Sequence, residues 1–211
     1  MFVVDDDPGV LRALTRLLVA AGFEARAFPL PAAFLEQHDP ATPGCLVLDV
    51  ALPGLDGLQL QQTLTASGAG RPIVFITGRG DIPSSVRAMK AGAVDFLTKP
   101  VNDRELLAAV RNAIEMNRRA RVAQIELDAL GQRLASLTPR EREVLAHVVA
   151  GRLNKQIAAD LGTVEKTIKV HRARIMQKTA ARSLAELVRI ADKLGITPAN
   201  RQEEPRPAPS F

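Results

Sequence analysis

Asp5, Asp6, Asp49, Thr77 and Lys99 each stand at the end of a short apolar run. If those runs converge, the five side chains form a set that could receive a phosphoryl group. Carboxylates brought together repel one another unless a hard cation neutralises them, and oxygen ligands with room for water suit Mg²⁺. A carboxylate held on such an ion, flanked by an ammonium and a hydroxyl, is a good phosphoryl receiver. The cations neutralise the three equatorial oxygens in the transition state. Asp49 is the candidate acceptor, and Thr77 and Lys99 would read the acyl phosphate left on it. Taken alone, Asp49 would read as a loop carboxylate or a helix cap. The number of runs ending in chemically matched groups changes that reading. Asp7 is set apart, because Pro8 beside it makes it a helix cap.

The elements that must position these groups alternate in type. Phe2-Val-Val-Asp5 reads as a first strand, and Asp7-Pro8 opens a helix with Val10, Leu11, Leu14, Leu17, Leu18 and Ala21 on its apolar stripe, stopped by Gly22. A second strand is expected over 24–28 and a short helix over 31–38. The third strand is Cys45-Leu-Val-Leu-Asp49, an unbroken apolar run of the kind buried on both faces of a parallel sheet. A helix follows over 57–66. Pro72-Ile-Val-Phe-Ile-Thr77 is the fourth strand, a helix starts at Asp81 and runs to Ala91-Gly92, and Ala93-Val-Asp-Phe-Leu-Thr-Lys99 is the fifth. Strands alternating with helices imply βαβ units, hence a doubly wound five-stranded parallel α/β domain.

Composition divides the chain. Residues 1–115 carry 10 Lys/Arg against 13 Asp/Glu, and the remainder carries 18 against 10. An acidic half followed by a basic half fits one domain for metal or signal and another for nucleic acid. Cys45 is the single cysteine, which excludes a disulfide framework or a thiolate metal cluster. The absence of an 18-residue apolar run, with charge already at Asp5, points to a cytoplasmic protein without membrane attachment.

The motifs of the first half resemble a known family. Asp5-Asp6, Asp49 with Pro53 and Gly57 after it, Thr77-Gly78 and Lys99-Pro100 are similar to the receiver domain of two-component response regulators. The resemblance implies phosphorylation of Asp49 by a sensor histidine kinase. It further implies Mg²⁺ held by Asp6, Asp49 and the carbonyl of Ala51, with Asp5 acting through water. Thr77 and Lys99 would grip the phosphoryl group, Thr77 and Phe96 would form the switch, and Lys99-Pro100 would be cis. The first strand begins almost at Met1, where relatives usually have several more residues.

Asp103 is expected to cap a helix with Leu106, Leu107, Val110 and Ile114 on its inner face. Ala123, Leu127, Leu130, Leu134 and Leu137 then recur at heptad spacing. Such a seam could zip two chains together or lean on a neighbouring domain. Arg118, Arg119 and Arg121 read as a solvated face. Thr138-Pro-Arg-Glu141 is a capping box that starts another helix, with Val144, Leu145, Val148 and Val149 inward. Asn154 is expected to cap the next, a third runs over 165–178, and Ser183, boxed by Glu186, starts a fourth. Two short helices joined through Gly162 describe a helix-turn-helix. On the third helix Ile168 and Ile175 share one face, with His171 and Arg172 flanking them. Lys166, Lys169, Val170, Ala173, Arg174 and Gln177 share the other, a basic face suited to a major groove.

Leu137-Thr-Pro-Arg-Glu-Arg-Glu-Val-Leu145, Asn154-Lys-Gln-Ile-Ala158 and Thr167-Ile-Lys-Val-His171 resemble the LuxR/NarL-type DNA-binding domain. With the receiver, the whole chain resembles a FixJ/NarL-type transcriptional regulator. That resemblance implies base contacts from Lys169 and Val170 and phosphate contacts from Lys155, Thr167 and Lys178. It also implies a homodimer on phosphorylation, promoter DNA and RNA polymerase as partners, and no enzyme activity of its own. The turn departs from the pattern at Thr163-Val164, which moves the expected N-cap to Thr163. The expected organisation is a receiver over 1–115, a helical linker over 116–136, an all-α helix-turn-helix domain over 137–196 and a disordered tail over 197–211. Two rival readings are a haloacid-dehalogenase-type phosphohydrolase and a constitutive DNA binder with a vestigial receiver. The first puts its nucleophile in Asp-x-Asp-x-Thr/Val, whereas Gly9 stands at the last position here.

Overall fold

The computed structural model describes residues 1–68, 70–78 and 82–199. These form two compact units, 1–122 and a second beginning at Ala123. In the first, β1 (Phe2–Val4), α1 (Pro8–Ala20), β2 (Arg26–Phe28), α2 (Pro31–Gln37), β3 (Leu46–Asp49), α3 (Gly57–Ala66), β4 (Ile73–Thr77), α4 (Ile82–Lys90) and β5 (Asp95–Thr98) alternate, and α5 (Asp103–Ala135) follows. Among the described residues the sheet has five strands in the order β2-β1-β3-β4-β5, every neighbouring pair parallel. The carboxyl ends of all these strands therefore lie along one edge. The expected helix start at Asp81 lies outside the described residues, as does the expected tail from Asn200 onward.

The strands are short and apolar because both sheet faces are covered. Side chains alternate across the sheet. Phe2, Val4, Leu46, Leu48, Ile73 and Phe75 point to one core, which Phe34 of α2, Leu60 and Leu64 of α3 and Ala88 of α4 complete. Val3, Val47, Val74 and Ile76 point to the other, covered by Leu11, Leu14 and Leu18 of α1 and Leu106, Ala109, Val110 and Ala113 of α5. Each fully buried Val, Leu, Ile or Phe among these contributes about 1.5–3 kcal/mol. Asp7 caps α1 as expected, its Oδ1 accepting from the N–H groups of Gly9 and Val10 at 2.6 and 3.1 Å. The cap of α5 differs from expectation. Asn102 holds that place, its Oδ1 accepting from Arg104 and Glu105 at 2.9 and 3.3 Å, and Asp103 is the first helical residue. Asn and Asp cap equally well, so adjacent candidates cannot be told apart by type.

The second unit contains α6 (Pro139–Val149), α7 (Asn154–Asp160), α8 (Glu165–Thr179) and α9 (Leu184–Lys193). Its core joins Leu137, Val144, Leu145, Val148, Ile157, Ile168, Ile175, Leu187 and Ile190. Leu130 and Leu134 of α5 pack against that same core. At its C-terminal end the leucine seam therefore leans on its own helical domain. The capping box of α6 is present, Thr138 and Glu141 each accepting the other's backbone N–H. Two cap assignments and one capping box are corrected. Asn154 is the first residue of α7, and Leu153 is the N-cap, its N–H donating to Gln156 Oε1 at 2.8 Å. Val164, not Thr163, is the N-cap of α8 and offers no side-chain acceptor. Thr163 instead donates its N–H to the Ala158 carbonyl, closing the turn after Gly162. Ser183 caps α9 by accepting from Glu186 N–H, but the Glu186 carboxylate reaches Arg182 N–H and not Ser183.

Candidate phosphoacceptor site and nucleic-acid interface

Asp5 follows β1, Asp49 ends β3, Thr77 ends β4 and Lys99 follows β5, so parallel pairing carries all four to the same sheet edge. Asp5, Asp49 and Thr77 are buried, at 0%, 4% and 1% exposure. Lys99 crosses between strands, its Nζ donating to Asp5 Oδ2 at 2.6 Å and to Asp49 Oδ2 at 2.8 Å. Its backbone N–H donates to the Thr77 carbonyl at 2.7 Å, which fixes where the lysine leaves the sheet. The second oxygen of Asp5 accepts from Asp7 N–H at 3.0 Å, and Asp49 Oδ1 accepts from Ala51 N–H at 3.3 Å. Asp6 is exposed, and the Lys99-Pro100 peptide is cis.

Burial pushes the Asp5 carboxyl above its ordinary range, against the hydrogen bonds from Lys99 and the Asp7 N–H. Burial alone would lower the Lys99 ammonium; its hydrogen bonds to Asp49 and Asp5 outweigh that and raise it. One oxygen from each of Asp5, Asp6 and Asp49 lies within 4.8 Å of the others. With all three ionised, the one ammonium that the described residues bring to them leaves a surplus of two negative charges at a partly water-open edge. Hard oxygen donors carrying that surplus fit a divalent cation of the Mg²⁺ type.

Gly57 contributes in a way that sequence reasoning registered only as part of a motif. A β-carbon there would run into the carbonyl oxygen of Asp49, so glycine lets α3 start directly beneath the acceptor strand. Gln61 was missed altogether. Buried in α3, it donates to the carbonyls of Ala88 and Ala91 at 3.3 and 3.2 Å, tying down the end of α4. A polar residue in an otherwise apolar helix face was its only signal. Phe96 is half-buried beside Phe75, with ring centroids 6.1 Å apart.

The second unit presents a different surface. Ile168 and Ile175 anchor α8 in the core, and Lys166, Lys169, Val170, Ala173, Arg174 and Gln177 are exposed on the opposite face. Thr167 is half-buried, and Lys155 is exposed on the first turn of α7. Lys169 pairs with Glu165 at 3.0 Å across one exposed helical turn.

Residues 1–111 match the family described as "Response regulator receiver domain", and residues 135–198 match "Bacterial regulatory proteins, luxR family". Nodulation protein W of Bradyrhizobium diazoefficiens is 48% identical over 204 residues, 97% of this chain and 89% of that protein. Transcriptional regulatory protein FixJ of Azorhizobium caulinodans is 42% identical over 198 residues, 94% of each chain. The chain belongs to the FixJ/NarL-type response regulators. Among solved structures, the response regulator StyR is similar at a TM-score of 0.81 and 50% identity, covering 91% of this chain and 97% of that one. Full-length FixJ from B. japonicum gives 0.56 at 42% identity, covering 92% and 96%.

This response regulator thus joins a receiver to a LuxR-type DNA-binding domain, as a transcriptional regulator of the two-component class. Among the described residues no helix is long and apolar enough to cross a membrane. Lys178, expected on a DNA phosphate, has partners inside its own domain. Lys178 points its ammonium at Glu141 Oε2, 2.7 Å away, and at the Ser136 carbonyl, 3.1 Å away. Glu141 is 2% exposed, so this lysine holds the start of α6 to the end of α8.

Proposed function

We propose that Asp49 accepts a phosphoryl group from the phosphohistidine of a sensor kinase. The phosphorus–nitrogen bond breaks, a bond from phosphorus to an Asp49 carboxylate oxygen forms, and the imidazole departs. The observation that carries this reading is Lys99, bridging Asp49 and Asp5 inside an acidic cluster that holds more negative charge than it can balance. Mg²⁺ on Asp6, Asp49 and the Ala51 carbonyl, with Asp5 through water, would supply the missing charge. Lys99 would then turn from the carboxylates to a phosphoryl oxygen, and the Thr77 hydroxyl would take another, drawing Phe96 inward. A switched α4 supports dimerisation as the output, because Ile82, Val86 and Met89 form an exposed apolar row at 77%, 43% and 47% exposure. The dimer would present α8 to promoter DNA in paired half-sites and engage RNA polymerase. Lys169 and Val170 would read bases, with Lys155, Lys166, Thr167 and Arg174 on or near the phosphates.

Intact-mass measurement with acetyl phosphate and Mg²⁺ tests the acceptor. One phosphoryl adduct is expected on the wild type and none on Asp49→Asn; an adduct persisting in that variant overturns the assignment. Turnover of p-nitrophenyl phosphate would instead favour a phosphohydrolase.

A further inference from the structure

Helix α5 carries a second apolar stripe that the leucine seam conceals in the sequence. Val122 and Ile125 are 47% and 65% exposed, and Ala129 continues their line at heptad spacing. At about 100° per residue these three fall on the side of α5 roughly opposite Leu127, Leu130 and Leu134. On the leucine side, Leu130 and Leu134 pack against the helical domain's own core. Val122, Ile125, Ala129 and Gln132 then take the a, d, a and d positions of two heptads, with Leu127, Leu130 and Leu134 at the outermost f, b and f. Upstream, the stripe ends where Glu115 pairs with Arg118 and Arg119.

The flanking charges say what would cover it. In this register Arg121 and Asp128 are g residues, and Glu126 and Arg133 are e residues. In a parallel pair of helices each g side chain faces the e side chain five residues on in the other chain. Arg121 then meets Glu126, and Asp128 meets Arg133: both pairs are opposite in sign, and two-fold symmetry makes each occur twice. Among the described residues, Arg121, Glu126 and Arg133 enter no ion pair within the chain.

We propose that α5 self-associates as a short parallel coiled coil with a second copy of this chain, through Val122, Ile125 and Ala129. Two heptads are too short to hold a dimer alone, so the coil adds to association begun elsewhere, by raising the local concentration of one chain about the other. It rests on the reading that the regulator dimerises, but on a surface separate from the α4 row.

The test uses full-length chain with the buried Cys45 replaced by alanine and one new cysteine at Ile125 (d) or Gln124 (c). Both are oxidised with and without Mg²⁺ and acetyl phosphate. Ile125→Cys should form a disulfide-linked dimer at least about fivefold faster than Gln124→Cys, because d side chains face each other across the coil axis. Glu126→Arg should weaken dimerisation by about tenfold in sedimentation, and Arg121→Glu added to it should restore the loss. Equal linking at both positions in every condition overturns the proposal. If acetyl phosphate yields a dimer in which both cysteines link equally, the phosphorylation reading stands and this one falls. Failure of the double charge exchange to restore dimerisation overturns the parallel register.

Discussion

Lys99 and Lys178 both bring an ammonium to a buried carboxylate, at 2.6–2.8 Å in the receiver and 2.7 Å in the helical domain. Their surroundings differ in charge balance. Lys178 meets one carboxylate, Glu141, which also accepts the Thr138 N–H and so closes a helix cap. Nothing there is left over. Lys99 meets two carboxylates placed by the ends of β1 and β3, with the exposed Asp6 beside them. A balanced pair stabilises a fold; an unbalanced one stores repulsion that a cation or a phosphoryl group can relieve. The pKa shifts follow the same division. Lys178 holds Glu141 down at about 2, whereas burial raises Asp5 despite its lysine.

The largest expected effect comes from removing the ammonium that bridges the unbalanced site. Lys99→Met should lower receiver stability by about 3 kcal/mol in denaturant titrations without divalent ions, since the buried Asp5 and Asp49 carboxylates then lose their shared ammonium. Millimolar Mg²⁺ should recover much of that loss and do little for the wild type's second unit. A Lys99→Met protein as stable as wild type in EDTA would remove the distinction between the two lysines.

At the balanced site, Glu141→Ala should destabilise the helical domain by about 2 kcal/mol, combining a lost charged hydrogen bond with half a capping box. Lys178→Ala should cost less, and the double variant little more than Glu141→Ala alone, as expected for one shared interaction. Acid sharpens the contrast. Glu141 is depressed on folding, so its contribution is present above the ordinary glutamate range and fades as pH falls through about 2. Asp5 is raised, so its contribution has the opposite sign: stability is gained as pH falls through its folded value toward the ordinary one. Wild type and Asp5→Asn should therefore converge in receiver stability on acidification, while wild type and Glu141→Gln should converge in the helical domain only near pH 2.

Much of this contrast was legible in the residue order. Apolar runs ending in Asp, Asp, Thr and Lys name the sheet edge, because a parallel sheet sends every strand's last side chain the same way. The exposed face of α8 follows equally from Ile168 and Ile175 seven residues apart. What sequence cannot supply is which partner a long side chain chooses. Lys178 reads as one more cation of a basic helix until the fold puts Glu141 beside it, 37 residues earlier in the chain. Local ambiguity accounts for the cap errors. Asn102 and Asp103 are chemically equivalent caps one residue apart, and Leu153 takes a cap position that its side chain does nothing to announce.

A third kind of lysine extends the comparison to its smallest effects. Lys169 and Lys155 are exposed, and the Lys169–Glu165 pair, at 64% and 46% side-chain exposure, contributes well under 1 kcal/mol to the fold. Their substitution should leave stability nearly unchanged, which separates them from Lys99 and Lys178 before any DNA is added. On DNA they should separate from each other. Lys169 sits mid-face on α8, where a base edge is within reach, so Lys169→Ala should cost about 1–3 kcal/mol on a selected site and much less on a scrambled one. Lys155 opens α7, where a phosphate is the natural partner. Lys155→Ala should therefore weaken both DNAs alike and lower the salt slope by about one unit. Binding titrations at several salt concentrations on both duplexes measure the two quantities together. Equal weakening of both DNAs by Lys169→Ala would move base reading away from the middle of α8, toward Val170 or Arg174. A Lys155→Ala protein with an unchanged salt slope would take α7 off the phosphate backbone.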